Sequence, residues 1–200
     1  MRFVFAIALA IGLGVLSMPP LQANALVDAA RGRIGVTVGY DPSYQRLAFP
    51  GGDVADHTGV CSDVVIRAYR IAYGYDLQRA VHDDMRTHFA DYPTIWGLTR
   101  PDANIDHRRV PNLERFFTRQ NARIAQPIAA FAAEDFKPGD IVTWRLNGRL
   151  PHIGVVSDAL SPAGVPLVIH NIGAGTREED VLFSYPIVAH FRFHPAGPRR

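Results

Sequence analysis

Between Thr58 and Tyr73 the apolar residues Val60, Val64, Val65, Ala68, Tyr69 and Ala72 recur with the spacing of one helical face. Thr58 is a candidate N-cap, and Gly74 is placed to end the helix in the left-handed conformation. A second helix is predicted from Asp76 to Phe89, with Leu77, Val81 and Met85 four residues apart and Pro93 as its stop. Shorter helices are predicted over 26–33, with Leu26, Ala29 and Ala30 on one side, and over 111–119, with Pro111 near the first turn and Leu113, Phe116 and Phe117 facing inward. The stretches 35–52 and 92–107 are rich in turn residues without a period and read as loops. After Ile124 the period shifts toward two. Strands are predicted at 123–128, 140–146, 152–157, 165–171 and 186–193, with turn signals at Lys137-Pro138-Gly139-Asp140, Asn147-Gly148 and Ser161-Pro162-Ala163-Gly164. Helices followed by a strand meander define an α+β fold, N-terminal helices packed on a C-terminal antiparallel sheet of about five strands. No repeat or linker interrupts the chain, so residues 26–200 are expected to form one domain.

An apolar fraction of 48% with 20% charged residues is globular, and a net charge of +2 is too small for an electrostatic nucleic-acid binder. The first 25 residues have a different pattern. Arg2 precedes a 14-residue apolar run from Phe3 to Leu16, and Ala23-Asn24-Ala25 follows as a cleavage pattern. The run is short of the roughly 20 residues needed to cross a bilayer. Residues 1–25 therefore read as a cleavable signal peptide. The mature domain is expected to be periplasmic or secreted, monomeric, and without stable membrane insertion.

Export gives meaning to Cys61, the single cysteine of the chain. It excludes an intramolecular disulfide and a cysteine-rich zinc site. In Thr58-Gly59-Val60-Cys61-Ser62-Asp63 it falls in the first turn of the clearest helix, where free backbone N–H groups favour a thiolate. Such a nucleophile needs a proton carrier, most often histidine. Among eight histidines, His152 and His170 each lie in a predicted strand. If Asp158–Gly164 forms the connecting loop, residue 157 pairs with 165 and His152 falls opposite His170, with Cβ atoms about 5 Å apart. A tight turn at Pro162-Ala163 would instead place His152 opposite Gly173. By strand alternation Asn171 points to the other face from His170. His82-Asp83-Asp84 and Asp102/Asp106-His107 lack a recognised ligand spacing, so no metal and no cofactor are expected.

These residues carry a resemblance. Cys61-Ser62 at a helix start, Gly139-Asp140-Ile141-Val142, His152-Ile153-Gly154-Val155-Val156 and Val168-Ile169-His170 occur in the order found in the NlpC-type, papain-like cysteine peptidases of the cell wall. More narrowly, Gly59-Val60-Cys61-Ser62-Asp63, Asn104 to Val110 and His170-Asn171-Ile172-Gly173 resemble the YijF-like family of exported bacterial proteins, across nearly all of the mature chain. Val60 and Asp63 depart from the acidic residue before the nucleophile and the small one two positions after it. The resemblance implies a papain-like domain and an exported amidase or peptidase that cleaves peptide amide bonds in peptidoglycan. Cys61 is expected to attack the carbonyl, His152 to carry the proton as an ion pair with the thiolate, and His170 to orient His152, with Asn171 as the alternative. Tyr44 or Tyr40 is a candidate oxyanion donor, and Arg108 and Arg109 are candidate receptors for substrate carboxylates. Two other functions share the same residues: a cell-wall binding protein with a degenerate site, and a cysteine-dependent acyltransferase or transglutaminase.

Overall fold

A computed structural model describes residues 21–125 and 131–197. Four helices occupy the N-terminal half: α1 (Leu21–Arg31), α2 (Cys61–Tyr73), α3 (Leu77–His88) and α4 (Val110–Arg119). Five strands follow: β1 (Ile141–Leu146), β2 (Leu150–Leu160), β3 (Pro166–Asn171), β4 (Thr176–Glu179) and β5 (Ile187–Phe191). They form one antiparallel sheet in the order β4-β3-β2-β1-β5. The fold is α+β, as the sequence pattern predicts.

Local signals place the middle helices well. Asp76 caps α3 by accepting from the Gln78 N–H, and Gly74 closes α2 at φ 60°. The start of α2 differs from expectation, because Val60 rather than Thr58 is the N-cap. Helix α1 begins at Leu21, inside the segment read as leader, while residues 1–20 lie outside those described. A chain cut after Ala25 keeps Leu26, Val27 and Ala30, through which α1 is buried.

Each face of the sheet packs in a core of its own. Ile141, Ile153, Val155, Ile169 and Phe191 join the helices, whereas Val142, Trp144, Val156 and Val168 pack with Phe136 and Leu182 on the opposite face. Burial on both faces explains why these strands are apolar at successive positions. The strand expected over 123–128 is reduced to a bridge between Arg123 and Phe191, and residues 126–130 lie outside those described. The fifth strand is instead β4, the stretch Thr176-Arg177-Glu178-Glu179. A charged edge strand has no apolar alternation to reveal it. Its place is held from α1, where Arg31 bonds Glu178 at 2.9 Å and also reaches Asp158.

Neither expected β2–β3 register forms. Strand β2 runs to Leu160, opposite Pro166, and an irregularity then shifts the pairing so that Val156 faces Val168 and Val155 faces Ile169. One step further places His170 opposite Gly154, with His152 on the diagonal. Any Cβ at Gly154 would lie 2.6 Å from Val168 Cγ1 and 3.2 Å from His170 Cβ. Glycine is therefore required for the two histidine rings to meet over it.

Candidate active site

Cys61 is the first residue of α2 and is 4% exposed. Val60 offers no side-chain acceptor to the helix start, so Asp63 does part of the capping by accepting the Val60 N–H at 2.6 Å. A Cβ on Gly59 would lie 3.0 Å from this carboxylate, which explains the glycine. Arg108 grips Asp63 with two bonds, 3.0 Å from Nε and 2.9 Å from Nη2, in a pair that is almost fully buried. The Ser62 hydroxyl donates to the Arg108 carbonyl at 2.7 Å. From the sheet, the Asn171 amide donates to the carbonyls of Gly39 and Gly59 at 3.1 and 3.3 Å. Asn171 thus braces the loop that delivers Cys61, on the sheet face opposite the histidines.

These contacts revise two expectations. Arg108 is no free receptor for a substrate carboxylate, since its guanidinium is engaged by Asp63. Tyr44 is exposed, donates to Asp102 at 3.0 Å and accepts from Asn104 at 2.9 Å, away from Cys61. The tyrosine beside Cys61 is Tyr40. Burial and then the neighbouring Cys61 and Asp63 push its phenol up to about 12, so it keeps its proton as a donor.

The sulfur meets β2 at its backbone. The N–H of Ile153, the residue after His152, lies against Cys61, as do the N–H groups of Ser62 and of Cys61 itself. These donors favour a thiolate, but burial outweighs them and pushes the thiol up to about 12. The expected thiolate–imidazolium pair is therefore not the resting state. Burial, together with His170, pushes His152 down to about 3, so thiol and imidazole are both neutral. A neutral pair avoids the cost of placing two charges in a dry site. Among the described residues, no hydrogen bond joins the Cys61 sulfur to a histidine.

His152 and His170 share the sheet face turned away from α2. The His152 ring stacks on Trp144 at 5.6 Å, and its Nε2 lies 2.8 Å from His170 Nδ1. His170 Nε2 lies 3.0 Å from Glu179 Oε2 on β4. Burial lowers His170, partly offset by the Glu179 carboxylate. The sequence offered a His152–His170 contact under one of two registers; the contact forms, but on a diagonal in a register that was not expected. Glu179 was not, because it belongs to a charged run on a strand without a periodic signal.

A cavity of about 420 Å³ opens over Cys61. Tyr40, Val60, Trp96, Ile105 and Leu150 make its walls mostly apolar. Arg109 also lines it, its guanidinium 4.2 Å above the Trp96 ring and 3.0 Å from Asp106. Both arginines are paired with a buried carboxylate, but the Arg109 side chain is 18% exposed against 2% for Arg108. Among the described residues, no group of three His, Cys, Asp or Glu side chains is placed to hold a metal ion. Among them, too, no helix is long and apolar enough to cross a membrane.

The architecture is thus an α+β domain with a buried cysteine under an apolar cavity and a histidine–histidine–glutamate chain on the other face of the strand its sulfur touches. The chain belongs to the DUF1287 family, a domain of unknown function, whose family model matches residues 27–193. It is similar to the uncharacterized protein YijF of Escherichia coli (strain K12), with 54% identity over 184 residues covering 88% of each chain.

Proposed function

We propose that this protein is an exported, monomeric cysteine amidase or peptidase of the papain-like, NlpC-type class, acting on peptide amide bonds of peptidoglycan. The observation that carries the reading is the position of Cys61. It is a nucleophile at a helix start, under a cavity, with its sulfur against the strand start that bears His152. Because His152 Nε2 is engaged by His170, Nδ1 is the nitrogen left for acid–base work.

With thiol and imidazole both neutral, activation accompanies attack. To serve as its base, the His152 ring must reach round the start of β2 from the sheet face turned away from α2; Cys61 sulfur then bonds to the amide carbonyl carbon as its proton passes to His152 Nδ1. The carbonyl oxygen becomes an oxyanion, and Tyr40 with backbone N–H groups of the first turn of α2 are its candidate donors. The imidazolium then protonates the leaving amine as the C–N bond breaks, leaving a thioester. Water attacks the thioester with His152 again taking a proton, which releases the acid and restores the thiol. The apolar walls suit an uncharged side chain on the acyl side, and Arg109 suits a carboxylate at the cavity rim.

The test is mass spectrometry of muropeptides incubated with the mature protein and with Cys61→Ala. Loss of a peptide fragment with wild type alone supports hydrolysis. A product joined to an added amine, in place of the free acid, reassigns the protein as an acyltransferase. The neutral thiol favours a second reading, a binding protein that retains cell-wall peptides without cutting them. In that case wild type and Cys61→Ala retain muropeptides equally and leave them intact.

A further inference from the structure

The histidine pair has a direction, and Glu179 sets it. A carboxylate only accepts hydrogen bonds, so the His170 nitrogen facing it, Nε2, carries hydrogen. A neutral imidazole has one N–H, so His170 Nδ1 is then an acceptor. The atom opposite it, His152 Nε2, must donate across the 2.8 Å contact. His152 Nδ1 is left with its lone pair. Without the carboxylate the two rings form their bond equally well in the reverse sense, in which His152 Nδ1 holds the proton and is no base.

The strand pairing supports this assignment. Val168 faces Glu179 across β3 and β4, so Glu179 projects on the face of His170 and lies diagonal to it. The Glu179 side chain sits at the sheet edge with 36% exposure, against 1% for His170. Its other oxygen is flanked by Arg177 at 4.0 Å. It adds little to the core, yet it completes the hydrogen bonding of a buried ring.

We infer that Glu179 is a positioning residue that, through His170, fixes the tautomer of His152 so that Nδ1 is the basic nitrogen. The inference rests on the reading of His152 as the proton carrier of Cys61. The role is comparable to that of outer groups that set the tautomer of a functional histidine.

The experiment is nitrogen-15 NMR of histidine-labelled mature protein, reading which ring nitrogen of His152 and His170 is protonated, in wild type, Glu179→Gln, Glu179→Met and Glu179→Ala. Wild type should hold the proton on Nε2 of both rings. Glu179→Gln should keep that pattern, because the amide oxygen still accepts. Glu179→Met preserves bulk but offers no effective acceptor, and it should shift His152 toward the Nδ1–H form, as should Glu179→Ala. On a cleaved muropeptide, the Met and Ala variants should lose about 10- to 100-fold in kcat with KM unchanged, and Gln should restore most of it. A His152 tautomer that stays on Nε2 in both Met and Ala variants overturns the inference, whatever the activity. If the Met and Ala variants show the tautomer shift but wild type cleaves nothing, the hydrolase reading is overturned and the positioning role stays intact.

Discussion

Two buried histidine clusters lie on the same face of the sheet and are built differently. At the β1–β5 end, His190 Nε2 sits 2.6 Å from Asp140, which also takes two bonds from Arg192 at 2.7 and 2.8 Å and the Lys137 N–H at 2.8 Å. Burial alone would raise the Asp140 carboxyl, but these bonds hold it below the usual carboxylate range. The His190 ring is stacked on Phe136 at 4.3 Å, and its Nδ1 has no partner among the described residues. At the β2–β3–β4 end, the ring next to His152 is a neutral imidazole, and the carboxylate of Glu179 stands one residue further out. A carboxylate in direct contact ties a histidine into a closed ionic cluster. A carboxylate reached through a second ring leaves the first one beside a neutral group in place of a charge. By this contrast the Asp140 cluster is expected to serve stability, and the His152 chain is the one proposed for chemistry.

The largest expected difference is in turnover. Cys61→Ala and His152→Ala should each lower kcat/KM on a cleaved muropeptide by about a thousandfold or more, while His190→Ala leaves it within about threefold. Equal losses for His152→Ala and His190→Ala would erase the distinction. Next comes stability. Asp140→Ala removes the acceptor shared by His190 and Arg192 and should cost about 3–5 kcal/mol in urea unfolding. A loss under about 1 kcal/mol would mean the cluster is not structural.

Acid separates the clusters more gently. His152 and His107 are pushed by burial from the ordinary range to about 3, His107 also by the adjacent Arg108. Unfolded histidines bind protons near pH 6.5, so below that pH the unfolded chain holds more protons than the folded one. Stability should therefore fall as pH drops from 6.5 toward 3, by about 1.4 kcal/mol per pH unit for each such histidine. Urea unfolding between pH 6.5 and 5 checks this, and His152→Phe should remove one proton from the slope. An unchanged slope would contradict a neutral, buried His152. The smallest effect belongs to Tyr44→Phe. Its phenol bonds only surface partners, so stability should change by less than about 0.5 kcal/mol and turnover should stay at the wild-type rate.

The legible parts of the fold share a physical cause. Helix α2 and helix α3 were readable because period and stop lie within a few residues of one another, although the N-cap of α2 is Val60 and not Thr58. Cys61 was readable as a helix-start residue for the same reason. Strand alternation separated His170 from Asn171 onto opposite faces. The edge strand β4 left no such trace, because the charged run Arg177-Glu178-Glu179 looks like loop. Arg108 and Asp63 each read as an isolated charged residue, since nothing local marks a pair 45 residues apart.

The chain by itself determined the order of helices before strands, the α+β class and the placement of Cys61 at the start of a helix. These follow from spacing within single helices and strands. Tertiary structure decided the rest. The irregularity in β2 set which residue faces His170, and it made Gly154 the gap over which the rings meet. Burial decided the protonation of the site, turning an expected thiolate into a neutral thiol, because desolvation depends on everything packed around the sulfur and not on its neighbours in sequence. The pairing of β3 with β4 brought Glu179 to the end of the histidine chain, and that pairing depends on contacts with α1 that no local pattern encodes.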